Sequence, residues 1–190
     1  MKTHPKTVYQ IKAVLLETEP PIWRRFVVPS GVTLHRLHLI LQDVIGWTNS
    51  HLYRFRIETD EYGEPHPDNE FSELDFKNSR QTKIEQVVTK EGSTFQYEYD
   101  FGDSWNHKLL VEGISEGEPG KQYPVCLAGE RACPPEDCGG TYGYADLLEI
   151  MKNPNDEQYQ DIMTWLGGHF APEAFDIDIV NLKLNAMRLQ

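Results

Sequence analysis

Residues 94–112, TFQYEYDFGDSWNHKLLVE, decide how the chain is read. Phe95, Tyr97, Tyr99 and Phe101 alternate with Gln96, Glu98 and Asp100, Gly102 and Asp103 supply turn chemistry, and Trp105, His107, Leu109 and Val111 then resume the alternation. A period of two with rings on one side describes two strands that share a buried face and are joined by a tight turn. Cross-strand aromatic pairs on that face fix the register, because a slip of one residue would turn every ring toward water. The expected buried set is Phe95, Tyr97, Tyr99, Phe101 and Trp105, with acids at the hairpin tip.

The same period appears upstream. Tyr9, Ile11, Ala13 and Leu15 alternate within Val8 to Leu16, a first strand that ends at Glu19-Pro20-Pro21, and Ile22 to Val28 resumes as a second. Arg24 and Arg25 are adjacent on it and so point to opposite faces. One is expected in solvent and the other against an acid. After Pro29-Ser30-Gly31, Thr33 caps a helix with Leu34, Leu37, Leu41 and Val44 at helical spacing and Gly46 as its stop. His35 and His38 stand one turn apart on this helix without an HExxH pattern, and read as solvated or core-edge side chains. Leu52 to Glu58 is a further strand, Thr59 to Arg80 a long polar surface loop, and Thr82 with Glu85 a capping box. Beyond the hairpin, Tyr123 to Gly143 is an irregular segment of Pro, Gly and Cys, and three helices follow, marked by Tyr144 to Met151, Tyr159 to Leu166 and Ile177 to Met187. Strands come first and helices gather mainly in the C-terminal part, which predicts an α+β fold with a largely antiparallel sheet.

The length of 190 residues fits a single domain spanning 1–190, and hydrophobic and aromatic fractions of 39% and 11% are those of a chain that folds. A formal net charge of −12 opposes non-specific attraction to nucleic acid or anionic membrane. No leader-like apolar run follows the first basic residues and no stretch approaches membrane-spanning length, so the expected location is the cytoplasm. Three cysteines in an odd, clustered set suit a reducing compartment rather than a disulfide framework.

Two groups of residues carry candidate chemistry. Cys126, Cys133 and Cys138 lie in a loop with little apolar content, where zinc would supply order, with His107 or Asp137 as a fourth ligand. Their spacing departs from the C-x2-C of common zinc knuckles, and free thiols packed under the loop are the alternative. Asp100, Asp103, Glu136 and Asp137, with His107, would form an acid/base or divalent-metal site if the hairpin tip and the loop face each other. Turn formation and capping of backbone N–H groups account for the same acids without a ligand. The motifs of serine hydrolases, P-loop NTPases and dinucleotide enzymes are absent.

Several stretches resemble one family: Pro21-Ile-Trp-Arg-Arg25, Leu34 to Gln42 through Gly46-Trp47, His51 to Phe55, Tyr99-Asp-Phe-Gly-Asp-Ser-Trp-Asn-His107, Cys126 to Gly140, and Pro172 to Asp176. Together they are similar to the plasmid pRiA-type ORF-three-like family, also known as insertion-element passenger proteins of the TnpR-like type. The resemblance runs over nearly the whole chain and implies a single α+β domain with, in some relatives, an association with plasmids and mobile elements. It implies no established activity and no catalytic residue.

Three functions are therefore in play. The first is a binding module for a protein or small ligand, with a groove between the hairpin 94–112 and the loop 123–143, lined by Tyr97, Tyr99, Asp100, Asp103, Trp105, His107, Glu136 and Asp137. The second is a metal-assisted hydrolase or nuclease-like enzyme built on His107 and its acids. The third is an accessory to mobile-element DNA transactions, which would need Arg24, Arg25, Arg36, Arg54 and Arg56 to gather into a patch.

Overall fold

The hairpin strands stand at the centre of one eight-stranded sheet, described here from a computed structural model over residues 7–64 and 76–187. In chain order the strands are β1 (Thr7–Leu15), β2 (Ile22–Pro29), β3 (Tyr53–Ile57), β4 (Asp60–Gly63), β5 (Lys77–Asn78), β6 (Thr94–Tyr99), β7 (Trp105–Glu116) and β8 (Val125–Glu130). Across the sheet they run β5-β4-β3-β6-β7-β1-β2-β8. Every pairing is antiparallel except β4 with β5. The helices are α1 (Leu34–Ile45), the short α2 (Ile84–Val87), and α3 (Gly140–Lys152), α4 (Tyr159–Trp165) and α5 (Ile177–Met187) after the last strand.

The alternation sets the register. In the hairpin Phe95 faces Leu109, Tyr97 faces His107 and Tyr99 faces Trp105. Tyr97, Tyr99 and Trp105 are fully buried, as are Ile11, Phe26 and Phe55 on neighbouring strands. Aromatic side chains bury more apolar area than any others, and this layer dominates the core. Phe101 departs from the expected set. Asp100 turns the chain with a φ of 57°, so the alternation ends at Tyr99, and the Phe101 ring is only half-buried, lying over the Arg54 guanidinium at 5.1 Å.

Helix α1 lays Leu34, Leu37, Ile40, Leu41 and Val44 into the core. Its first turn is capped by the Thr33 hydroxyl, which accepts from Arg36 N at 3.1 Å. Gly46 ends it at a φ of 125°, and a Cβ there would stand 3.1 Å from Cys133 Cβ, so the helix stops where the Cys/Pro/Gly segment crosses it.

Three sequence expectations need correction. The polar stretch Thr59 to Arg80 contains β4 and β5, of which β4 pairs with the β3 edge and β5 with β4; residues 65–75 of that stretch lie outside the described residues. The irregular segment after Tyr123 contains β8, because the exposed edge of β2 offers it a ladder from Trp23 to Val27. The capping box is shifted by one position: Gln86 Oε1 accepts from Lys83 N at 2.7 Å, while Thr82 Oγ1 donates to Asn78 O and Glu85 accepts from Ser30 Oγ.

Candidate functional site

Three segments converge where the hairpin turns: its tip (residues 99–104), the turn after α1 (residues 46–51) and the loop that precedes α3 (residues 131–140). Trp47 joins the first two to the third. Its ring stacks on Tyr99 at 4.9 Å and meets the His107 ring edge-on at 5.3 Å, and its Nε1 donates to Pro134 O at 3.1 Å. Tyr99 then reaches the loop directly, donating from its hydroxyl to Glu136 Oε1 at 2.6 Å while accepting from Ser50 N at 2.9 Å. The Glu136 carboxylate also takes the Thr48 hydroxyl and backbone N–H. Burial alone would raise the Glu136 pKa, but the donors Thr48 and Tyr99 hold it below the ordinary carboxylate value. Asp103 Oδ2 accepts from Gly139 N at 3.2 Å, and a Cβ on Gly140 would stand 2.4 Å from Asp103 O, so only glycine lets the start of α3 come this close to the tip.

Between tip and loop sits His51. Its Nδ1 is 3.5 Å from Asp100 Oδ2 and its Nε2 is 3.1 Å from Asp137 Oδ1. Asp100 is fixed from behind, because its Oδ1 accepts from Gly102 N at 2.9 Å. The imidazole is about a quarter exposed and Asp137 stands largely in solvent.

Beneath this surface lies a closed ring of hydrogen bonds. Asn49 N donates to Gln42 Oε1 at 2.9 Å and Gln42 Nε2 donates to the Tyr97 hydroxyl at 2.9 Å. The Tyr97 hydroxyl pairs with His38 Nδ1 at 2.8 Å, and His38 Nε2 with Asn49 Oδ1 at 2.6 Å. An amide oxygen only accepts, so Nε2 carries the proton, Nδ1 accepts, and Tyr97 donates to it. His38 is stacked on Tyr53 at 3.6 Å and is only 1% exposed. The expectation of a solvated or core-edge His38 is thus corrected: burial drives its pKa down to about 3. His35 remains half-buried, bonded to the Tyr53 hydroxyl at 3.0 Å.

The structure divides the residues singled out from sequence. Tyr99, Asp100, Asp103, Glu136 and Asp137 come to one neighbourhood. Tyr97, Trp105 and His107 do not line it, being 0–1% exposed in the core below. The Trp47 ring lies over both Trp105 and His107, at 5.6 and 5.3 Å. Burial lowers the His107 pKa to about 4, and its Nδ1 is spent on Trp105 O at 3.0 Å. His107 thus lies in the core below the acids of the hairpin tip rather than among them.

The cysteines are not one metal set. Among the described residues the one trio of His, Cys, Asp or Glu ligand atoms mutually within 4.8 Å is His51, Asp100 and Asp137, and the set Cys126, Cys133, Cys138 and His107 is not drawn together in that way. Cys126 belongs to strand β8, where its Sγ lies against the Arg25 and Ala128 carbonyls. Burial pushes the Cys133 thiol up, and burial with the Asp103 charge pushes Cys138 up to about 12. These are thiols packed as small hydrophobes. Sequence reasoning did not place His51 in a site, although the residue opens one of the stretches, His51 to Phe55, that carry the family resemblance.

The five arginines do not form a free basic patch. Arg25 is held bidentately by Glu112 at 2.6 and 2.9 Å. Arg54 and Arg56 both pair with Glu98 and Glu61, and Arg36 donates to Met187 O. Arg24 is buried rather than solvated. It donates to the carbonyls of Trp23, Val44, Ile45, Glu130 and Arg131 and stacks on Phe175 at 4.3 Å. Two of those carbonyls end α1, where a cation complements the helix dipole.

Beside the polar cluster runs an open cleft of about 350 Å³, lined by Trp47, Pro134, Pro135, Trp165, Leu166 and Phe170, with Glu136, Thr48 and His169 as its polar members. Trp165 is half exposed, and α4 buries no residue of its own. None of the helices among the described residues is long and apolar enough to cross a membrane.

Comparison with known proteins agrees with this architecture. The crystal structure of a protein of unknown function, MM3350 from Methanosarcina mazei Go1, superposes with a TM-score of 0.83 at 35% identity, covering 91% of this chain and 97% of that one. The uncharacterized protein y4hQ of Sinorhizobium fredii (strain NBRC 101917 / NGR234) is 37% identical over 161 residues, 85% of this chain and 81% of its own length. The family model described as "Plasmid pRiA4b ORF-3-like protein" matches residues 7–179. The chain is a member of the plasmid pRiA4b ORF-3-like family.

Proposed function

We propose that this protein is a binding module whose ligand is a peptide segment carrying an apolar or aromatic side chain next to a basic one. The observation that carries the reading is the cleft between Trp47, Pro134, Pro135, Trp165 and Phe170, with the Glu136 carboxylate at its rim. A concave apolar surface with a few fixed polar groups is the usual form of a ligand site. A half-exposed Trp beside it is the residue type that anchors such contacts. The acid is pre-oriented by Tyr99 and Thr48, so a cationic group would meet a carboxylate that needs no reordering. The chain's net charge of −12 favours a basic partner at longer range. The histidines and thiols in the core below are neutral and shielded, which favours recognition over chemistry at this place.

A displayed library of random decapeptides, selected on the untagged chain, tests the reading. Enriched sequences should combine a Trp, Tyr, Phe or Leu with Lys or Arg, and should lose binding to the surface variants Trp165→Ala and Glu136→Gln. Failure to enrich, or enrichment of peptides that bind Trp165→Ala equally well, would remove the cleft as the site.

A further inference from the structure

We infer that His51, Asp100 and Asp137 form a binding site for one divalent first-row transition ion, of the Mn²⁺, Fe²⁺ or Zn²⁺ class. This site is independent of the cleft reading.

The donor set is one imidazole nitrogen and two carboxylate oxygens, all within 4.8 Å of one another. Around an ion with bonds of about 2.1 Å, neighbouring donors stand about 3.0–3.4 Å apart. The separation of 3.1 Å between His51 Nε2 and Asp137 Oδ1 falls in that range.

A second observation singles out the imidazole. His51 Nε2 is closed off from water and makes no hydrogen bond, although Asp137 Oδ1 stands 3.1 Å away. A nitrogen sealed in this way is costly unless something takes its lone pair or proton. A cation held at Nε2 and Asp137 Oδ1 would do so and would also offset the repulsion of the paired carboxylates; Asp100 Oδ2, 3.5 Å from the other ring nitrogen Nδ1, would shift toward Nε2 to complete the set.

The supporting shell is already formed. Asp100 Oδ1 is held by the N–H groups of Gly102 and Asp103, leaving Oδ2 turned to the imidazole. The His51 backbone N–H is fixed on the Tyr99 hydroxyl at 3.3 Å, and the same hydroxyl holds Glu136, the residue before Asp137. Outer partners of this kind set the orientation of metal ligands. Nitrogen with two carboxylates suits Mn²⁺, Fe²⁺ and Zn²⁺ better than Ca²⁺, which prefers an all-oxygen shell. Three protein donors leave further positions to water, on the side where Asp137 is 71% exposed. Among the described residues no thiol joins the trio.

The test is a titration of metal-stripped, untagged protein with Mn²⁺, read by the loss of the free-ion EPR signal, and separately with Zn²⁺ by calorimetry. We expect one ion per chain, with paramagnetic broadening by Mn²⁺ centred on the amides of residues 50–52, 100–103 and 136–139. Asp137→Asn, on an exposed side chain, should keep the metal-free melting temperature and weaken binding at least about tenfold, the loss expected when a ligand is removed. His51→Gln should do the same, and Cys133→Ser should leave binding unchanged. No saturable binding of either ion up to about 1 mM would overturn the site. So would Mn²⁺ binding that survives Asp137→Asn, or broadening centred elsewhere.

Discussion

Tyr97→Phe removes one oxygen atom from the middle of the molecule. In the closed ring under the hairpin, the Tyr97 hydroxyl donates to His38 Nδ1 and accepts from Gln42 Nε2. Removing it strands both, and His38 and Gln42 are 1% and 3% exposed, so water does not replace the lost partner. Each buried polar group left without a partner costs about 1–3 kcal/mol, which places the substitution at about 2–6 kcal/mol even though the ring and its packing stay. In a chain of 190 residues that is a fall in melting temperature of about 4–24 °C. Urea denaturation with an unchanged m-value, followed by tryptophan fluorescence, measures it. A local consequence follows as well. Asn49 is tied to both His38 and Gln42, so amide exchange of residues 48–51 should speed up in the variant more than that of β1 or β2. Tyr97→Ala, which loses the ring too, should cost more than Tyr97→Phe and no less than about 3 kcal/mol. A Tyr97→Phe variant within about 0.5 kcal/mol of the parent would refute the ring of hydrogen bonds as a source of stability.

Other perturbations have signs set by the same geometry. His38 and His107 are held neutral in the fold, with pKa values down to about 3 and about 4 against 6.5 in the unfolded chain. Below pH 6.5 the unfolded state therefore binds protons that the folded state refuses, and stability should fall with falling pH by about 2 kcal/mol per histidine by pH 5. Chemical denaturation at pH 7, 6 and 5 checks this, and a flat profile over that range contradicts the burial of the two rings. Arg24→Met leaves the terminal carbonyls of α1 and those of Glu130 and Arg131 without their shared donor, and should cost about 3–5 kcal/mol. Arg24→Lys should rescue little, because one ammonium cannot span five acceptors; full stability of either variant by urea denaturation would disprove the role. Cys133 and Cys138 should react with a disulfide reagent at pH 8 at least about a hundredfold more slowly than a free thiol, and rapid modification of the native chain would show thiolates that the fold does not hold.

How much of this was legible in the chain depends on the kind of physics involved. Period-two alternation in Tyr9 to Leu15 and in Phe95 to Tyr99, and helical spacing from Leu34 to Val44, are local consequences of where a side chain points. Strand, helix and buried face were therefore readable, as was the α+β class. The acids Asp100, Asp103, Glu136 and Asp137 were also recognisable, because polar residues amid Gly and Pro mark turns rather than core. Partnership was not readable. Whether Val125 to Glu130 is a loop or a strand depends on β2 having a free edge, and whether Arg24 meets solvent or five carbonyls depends on where α1 ends above it. His107 looked like the functional histidine because it sits in the aromatic hairpin, and that position is what buries it. His51 carries no pattern of its own, and it becomes a candidate only because β3 pairs with β6 and the pre-α3 loop closes over the tip, bringing Asp100 and Asp137 to its two nitrogens. Alternation and spacing act between neighbours in sequence and are written there. A site assembled from residues 51, 100 and 137 exists only once the sheet order and the loop crossing have been fixed by packing.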